Sequence, residues 1–246
     1  MIVQIYEIQT SEEARLMIDL GVDHIGTVLL SEEQRHADAI KAVVDTVQAA
    51  GRKSSLIPLF HDMDSIAKAI GFYRPDIIHF CEALPWRQGF DQALEEAIKR
   101  QTAIRREFPQ LEIMRTIPIF DSDGCDGPVM EMATRFAPIS DWFLTDTVLH
   151  NGSLDDQPVS GFVGITGRTC SWSTARKLVE RSRVPVILAG GIGPENVQSA
   201  ILQVQPAGVD SCTRTNAVDG AGKSIRFRKD ALKVAALVQS ARNQEA

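Results

Sequence analysis

The sequence predicts a single (β/α)8 barrel, a TIM barrel, over residues 1–246. Three observations carry this expectation. Short apolar runs alternate with helical patterns along the chain, which implies a parallel sheet. There are eight such runs, the number that closes a barrel. The turn after the first run, Glu7-Ile8-Gln9-Thr10, has no glycine, whereas an open dinucleotide-binding sheet would carry Gly-x-Gly-x-x-Gly there.

The elements follow in order. Strand one covers Ile2–Ile8, and Thr10 or Ser11 caps the first helix, with Glu13 spaced for a capping box. Strand two covers His24–Leu30, then a helix runs from about His36 to Ala49. Strand three covers Ser55–Phe60, with a helix opening near Asp64. Strand four covers Asp76–Phe80, then an amphipathic stretch runs from about Phe90 to Phe108. Strand five covers Leu111–Phe120, with a short helix near Val129–Phe136. Strand six covers Asp141–Thr145 and leads into a long Gly-, Ser-, Asp- and Thr-rich connection, Asp146 to Trp172. Loops of that length in a compact domain are usually functional. Strand seven covers Pro185–Ala189, with a helix near Glu195–Val204, and Gly193 before Pro194 reads as its cap. Strand eight covers Gly208–Cys212, and a final helix runs near Lys229–Ala241.

Composition narrows the function. Apolar residues make up 44% and charged residues 24%, ordinary for a soluble globular chain. The net charge of -6 argues against nucleic-acid or membrane-surface partners, which want a basic face. Cys81, Cys125, Cys170 and Cys212 are widely spaced, with no metal-ligand pattern, and read as free thiols in a reducing cytosol. The N-terminus lacks a signal-peptide pattern, and no apolar run approaches the roughly 20 residues that span a bilayer. A cytoplasmic protein without metal or cofactor is expected, its partner a phosphorylated small molecule. Nothing in the sequence fixes an oligomeric state.

Glycines gather after the last three strands: Gly164-Ile165-Thr166-Gly167-Arg168, then Gly190-Gly191-Ile192-Gly193, then Thr213-Arg214. Phosphate is held by backbone N–H groups, and glycine lets the backbone approach closely. Barrel phosphate sites commonly use the loops after strands seven and eight. Arg168 and Arg214 can add charge, although each glycine pair alone also fits an ordinary tight turn. Asp146 falls at the mouth of strand six, where barrel enzymes keep acids and bases, or else caps a turn. Tyr6 and Glu7 end strand one, and alternation sends only one of them into the barrel. The same rule applies to His79, Phe80, Cys81 and Glu82 after strand four, where His79 also reads as a core histidine. The acidic loop Asp121 to Gly127 lacks the distal Glu of a calcium loop and reads as a solvated turn. No strand ends in lysine, which argues against a Schiff-base aldolase, and no Gly-x-Ser-x-Gly elbow occurs.

These residues together resemble the phosphoribosylanthranilate isomerase family over nearly the whole chain. Asp146, Gly164-Ile165-Thr166-Gly167 and Trp172 follow the family's order, as do Leu188-Ala189-Gly190-Gly191, Pro194-Glu195-Asn196-Val197, Val209-Asp210 and Lys229-Asp230. The resemblance implies an aldose–ketose (Amadori) rearrangement in tryptophan biosynthesis. An acid, matched by Asp146, protonates the ribose ring oxygen, and a base removes the C2′ proton. The family's base is the cysteine of Lys-Ile-Cys-Gly-Ile-Thr, where this chain has Tyr6 followed by Glu7. Glu7, Tyr6 or Cys81 would replace it. The phosphate ligands would be Gly164, Thr166, Gly167, Gly190, Gly191, Thr213 and Arg214, with Arg35, His79 and Arg168 on the rest of the substrate. The family's Ser-x-Arg after strand two is stretched here to Ser31-Glu32-Glu33-Gln34-Arg35. Another isomerase or lyase on the same barrel, or a barrel that only binds a phosphorylated ligand, are the alternative readings.

Overall fold

The computed structural model describes residues 1–85, 89–123, 126–149 and 158–243. Eight parallel strands close into a barrel in chain order. They are β1 (Ile2–Ile5), β2 (His24–Leu29), β3 (Lys53–Pro58), β4 (Ile77–Phe80), β5 (Glu112–Phe120), β6 (Trp142–Val148), β7 (Val186–Leu188) and β8 (Gly208–Ser211). Eight helices accompany them: α1 (Ser11–Asp19), α2 (Asp38–Ala49), α3 (Met63–Tyr73), α4 (Phe90–Glu107), α5 (Asp126–Phe136), α6 (Trp172–Arg181), α7 (Val197–Val204) and α8 (Ala231–Arg242).

Local chemistry sets several of these boundaries. The Thr10 hydroxyl accepts from the Glu13 N–H and starts α1. Asp62 caps α3 through the Ser65 N–H, and Asp230 caps α8 through Leu232 and Lys233. Several boundaries differ from the expectation, and β1 ends at Ile5 instead of Ile8. A 3-10 turn over Glu32–His36 precedes α2, so that helix starts at Asp38. β6 runs three residues further than expected, to Val148, because the long β5 pairs with it from Met114↔Trp142 to Phe120↔Val148. Gly193 and Pro194 do not open α7. Asn196 bridges back, its side chain accepting from Gly193 N and donating to Gly191 O, and the helix begins at Val197. The stretch before α8 is an antiparallel hairpin, β9 (Asn216–Val218) and β10 (Ser224–Lys229), so Lys229 ends a strand instead of opening the helix.

Alternation along the strands separates two kinds of core. Outward residues such as Val3, Ile5, Phe143 and Val209 pack with Ala14, Met17, Leu178 and Leu237 of the surrounding helices. Inward residues fill the barrel with a smaller cluster that includes Tyr6, Ile77, Met114, Leu144 and Ile187. Polar groups inside the barrel are bonded to one another, as burial demands. His24 Nδ1 lies 3.2 Å from Gln4 Oε1, and Gln4 Nε2 donates to Asp210 Oδ1 at 3.1 Å. The Tyr6 hydroxyl pairs with Ser55 Oγ at 2.5 Å and with His79 Nδ1 at 2.8 Å, and His79 Nε2 meets Thr116 Oγ1 at 2.7 Å.

The Tyr6 ring packs directly against Gly26 of β2. A Cβ added to Gly26 would stand 2.0 Å from Tyr6 Cδ1. The ring cannot swing away without breaking its bonds to Ser55 and His79. Gly26→Ala is therefore expected to cost at least about 2 kcal/mol of stability, read from the urea midpoint. In a Tyr6→Ala background the same substitution should cost much less. Equal costs in the two backgrounds would show that the ring is not the constraint.

Candidate active site

A cavity opens at the C-terminal ends of the strands, enclosing about 570 Å³ of space that is partly continuous with solvent. Its wall contains Tyr6 and Glu7 from the end of β1, His79 and Cys81 from β4, Asp146 from β6, and Asp210 and Cys212 from β8. The connection after β6 forms one side through Val159, Phe162, Val163, Gly164 and Ile165. That connection is tied across the mouth: Val163 N donates to Cys81 O at 2.9 Å, and Ala83 N to Gly161 O at 2.9 Å. Phe162 stacks on His61 with centroids 4.8 Å apart.

Asp146 is partly buried in the cavity wall. Burial raises its carboxyl to about 6, and the Thr147 N–H, which donates to Oδ1 at 2.7 Å, offsets part of that. A Cβ on Gly164 would stand 2.5 Å from Asp146 Oδ2, so only glycine lets this loop close over the acid. Asp210, which the sequence reading used only as a landmark of β8, is the second buried carboxyl of the wall. Burial raises it to about 7 against the stabilising Gln4 contact. Its sign in the sequence is an acid inside an apolar strand, two positions before Cys212 on the same face.

Both Tyr6 and Glu7 line the cavity, against the expectation that alternation would send one away. Glu7 has φ +67°, the left-handed region that side chains rarely enter, and this turn returns its carboxylate to the interior. It occupies the position of the glycine in the family's Cys-Gly pair. Arg226 of β10 donates to Glu7 Oε1 through Nε at 2.7 Å and also through Nη2. Glu7 Oε2 is buried with no oxygen or nitrogen donor among the described residues.

The other two candidate bases are poorly suited to the role. Burial pushes the Tyr6 phenol well above its usual value, and its hydroxyl is already committed to Ser55 and His79. Burial likewise pushes the Cys81 thiol up, with Glu82 and Asp146 adding to the effect. His79 is held neutral: burial, with the nearby Arg115 charge, lowers it to about 3. It acts as a bridge between Tyr6 and Thr116.

A second, contiguous hollow of about 290 Å³ shares Asp146, Ile165, Asp210 and Cys212 with the first. Gly167, Gly190, Gly191, Thr213 and Arg214 complete it. Gly190 and Gly191 have φ of +88° and +61°. A Cβ would stand 2.4 Å from Thr147 Oγ1 at Gly190, and 2.5 Å from the Arg168 carbonyl carbon at Gly191. The backbone of the loops after β6 and β7 is thus packed edge to edge around a concave surface. Arg214 stands at its rim, paired with Glu195 and donating through Nε to Gly167 O at 3.3 Å.

Three expected ligands lie elsewhere. Thr166 is not in the wall of either hollow, and its hydroxyl accepts from Arg168 N at 3.3 Å. The Arg168 guanidinium is 64% exposed and turns to Asp121 at 3.4 Å. Arg35 sits on the 3-10 turn after β2 and donates to Glu32 O, outside the cavity wall. Its place after β2 matched the family's arginine, but the longer Ser31–Arg35 spacing winds into that turn and carries the side chain off. In the acidic loop, Asp123 accepts from Ser171 and Ser173, and Asp126 from Thr174 and Lys177. Gly124 and Cys125 lie outside the described residues.

Comparison with known proteins places this geometry. Residues 3–240 match the family model described as N-(5'phosphoribosyl)anthranilate (PRA) isomerase. The chain is 27% identical over 172 residues to N-(5'-phosphoribosyl)anthranilate isomerase 1 of Methanosarcina mazei, covering 69% of this chain and 62% of that one. It is 26% identical over 243 residues to the isomerase of Methanothrix thermoacetophila, covering 98% of both. By fold it resembles the phosphoribosylanthranilate isomerase of Thermotoga maritima, with TM-score 0.68, 18% identity, and coverage of 99% and 100%. No helix among the described residues is long and apolar enough to cross a membrane.

The enclosed acids carry a stability consequence. Folded Asp210 keeps its proton up to about 7, whereas the unfolded chain loses it near 4. Between these values the native state binds more protons, so stability falls as pH rises. Asp210→Asn retains an acceptor for Gln4 and removes the buried charge. It is expected to stabilise the protein by about 2–4 kcal/mol near pH 8 and to be neutral near pH 4, by urea denaturation. A stability difference independent of pH would contradict this account.

Proposed function

Because the chain belongs to the N-(5'-phosphoribosyl)anthranilate isomerase family, we propose that it catalyses the Amadori rearrangement of phosphoribosylanthranilate in tryptophan biosynthesis, with Asp146 as acid and Glu7 as base. One observation supports this above the others: a single cavity holds a carboxyl raised to about 6 together with a carboxylate oxygen that has no nitrogen or oxygen donor among the described residues. Acid–base work of this kind needs a proton donor and a proton acceptor that both reach the substrate.

The phosphate sits in the hollow made by Gly167, Gly190, Gly191 and Thr213, beneath Arg214. From there the ribose extends into the larger cavity, with its ring oxygen towards Asp146. Asp146 gives its proton to that oxygen, the ring C–O bond breaks, and the glycosylamine opens to an iminium. Glu7 then takes the C2′ proton, leaving the electron pair to form the enolamine, which becomes the ketose when C1′ gains a proton and the 2′-hydroxyl loses its own. The apolar wall of Ile57, Leu59, Val159 and Phe162 suits the aromatic ring. Tyr6, at the family's cysteine position, fills space over Gly26 and leaves proton removal to its neighbour.

Wild type is expected to turn over phosphoribosylanthranilate. Asp146→Asn and Glu7→Gln should each lower kcat at least about 100-fold, while Tyr6→Phe stays within about threefold. Since Asp146 must carry its proton, kcat/KM should decline as pH rises above about 6. In Asp146→Asn that basic limb should vanish, and inorganic phosphate should still raise the Tm. Turnover that survives Asp146→Asn would remove the acid assignment.

A further inference from the structure

We propose that Arg226 is a positioning residue for the reaction: it clamps one oxygen of Glu7 and so presents the other to the substrate. This rests on Glu7 being the base. The geometry of the ion pair carries the inference. An arginine frequently meets a carboxylate as a fork, with two parallel bonds to two oxygens. Here Nε and Nη2 of Arg226 both converge on Oε1, and Oε2 is left buried without an oxygen or nitrogen donor among the described residues. An unsatisfied buried carboxylate oxygen is costly and calls for a partner that arrives later.

The chain builds a dedicated element to deliver this arginine. The β9–β10 hairpin lies between β8 and α8, and its register shifts between the Ser224↔Val218 and Lys229↔Asn216 pairs. Within that irregular stretch Phe227 adopts φ +61°, a conformation that a bulky side chain takes only under constraint. The Arg226 guanidinium lies 4.7 Å from the Phe227 ring centroid, which limits its freedom further. The hairpin is anchored at its base. Lys229 Nζ donates to Asn216 Oδ1 at 2.6 Å and to Cys212 O at 3.0 Å, and Lys229 N donates to Glu13 Oε1 at 2.7 Å. Glu7 is 2% exposed by side chain and Arg226 36%, so the clamp closes from the solvent side over a buried carboxylate. The thiol of Cys212 also stands beside Glu7, but a thiol is a weak donor and cannot replace the guanidinium.

The test is steady-state kinetics on phosphoribosylanthranilate with Arg226→Met, Arg226→Lys, Glu7→Gln and the Glu7→Gln/Arg226→Met double variant. Arg226→Met is expected to lose about 10–100-fold in kcat with KM within about twofold, because a loosened base is misaligned while binding is intact. Arg226→Lys should recover part of that loss. The double variant should be no slower than Glu7→Gln alone, since an arginine acting through Glu7 has nothing left to position. An unchanged kcat in Arg226→Met, a loss confined to KM, or additive losses in the double variant would each overturn the proposal. If Arg226→Met fails to fold, Arg226→Lys and its double variant with Glu7→Gln carry the same comparison. Failure of the underlying reading looks different: Glu7→Gln would keep wild-type turnover, or wild type would have none.

Discussion

Backbone hydrogen bonds join β1 to β8 over the register Ile2↔Gly208 to Ile5↔Ser211 and bring the first and last strands of the barrel side by side. The approach is close. A Cβ on Gly208 would stand 2.8 Å from Ile2 Cβ, so the seam needs glycine there. Closure removes the two open edges that a sheet would otherwise expose. It also sets the chemistry of the mouth, because Glu7 then meets Cys212 and Arg226, and Gln4 meets Asp210. Glu7 and Arg226 are separated by 219 residues of sequence, and their pairing exists only because the seam exists.

Three buried acids of this barrel show how surroundings divide structural from chemical roles. Glu82 is flanked by Arg115 and Arg100, and the Arg115 cation holds its carboxyl below the usual range despite burial. It is a paired charge, expensive to break but chemically idle. Among the described residues Asp146 has one backbone N–H on its carboxylate and no ion pair, and burial prevails. Glu7 lies between them, with one oxygen clamped by an arginine and the other without a nitrogen or oxygen donor. Perturbed acids in a cleft mark candidate sites because ordinary folding would have paired or exposed them.

Much of the fold was readable because each strand is an apolar run and each helix an amphipathic one, and both patterns are local. Asp146 stood out as a carboxylate after the apolar run Trp142–Thr145, although β6 continues past it to Val148. The hairpin was not read, although Asp219-Gly220-Ala221-Gly222 between Asn216-Ala217-Val218 and Ser224-Ile225-Arg226 carries a turn signal. Its strands are short and half polar, which hides them beside the final helix. The alternation rule failed at Glu7 because alternation presumes extended backbone. One residue at φ +67° puts two successive side chains on the same side. Arg35 and Arg168 were placed by order in the chain, and order does not say where a flexible side chain on an exposed turn finds its partner.

The two halves of the mouth differ in what they can exchange. The hollow assigned to phosphate is made of backbone: at Gly190 and Gly191 any side chain would strike Thr147 or the Arg168 carbonyl within about 2.5 Å. That surface can be kept or destroyed, but scarcely adjusted. The half assigned to proton removal is made of side chains, and it requires only that a basic atom reach the same point in space. Tyr6 shows how such an exchange can be accommodated. A phenol ring takes up the volume beside Gly26 and ties itself to Ser55 and His79, and the next residue turns left-handed to bring a carboxylate inward. That exchange needs something to hold a carboxylate longer and more mobile than a thiol. A hairpin presenting an arginine to one of its oxygens meets the need from outside the barrel, without touching the glycine-lined backbone of the other half.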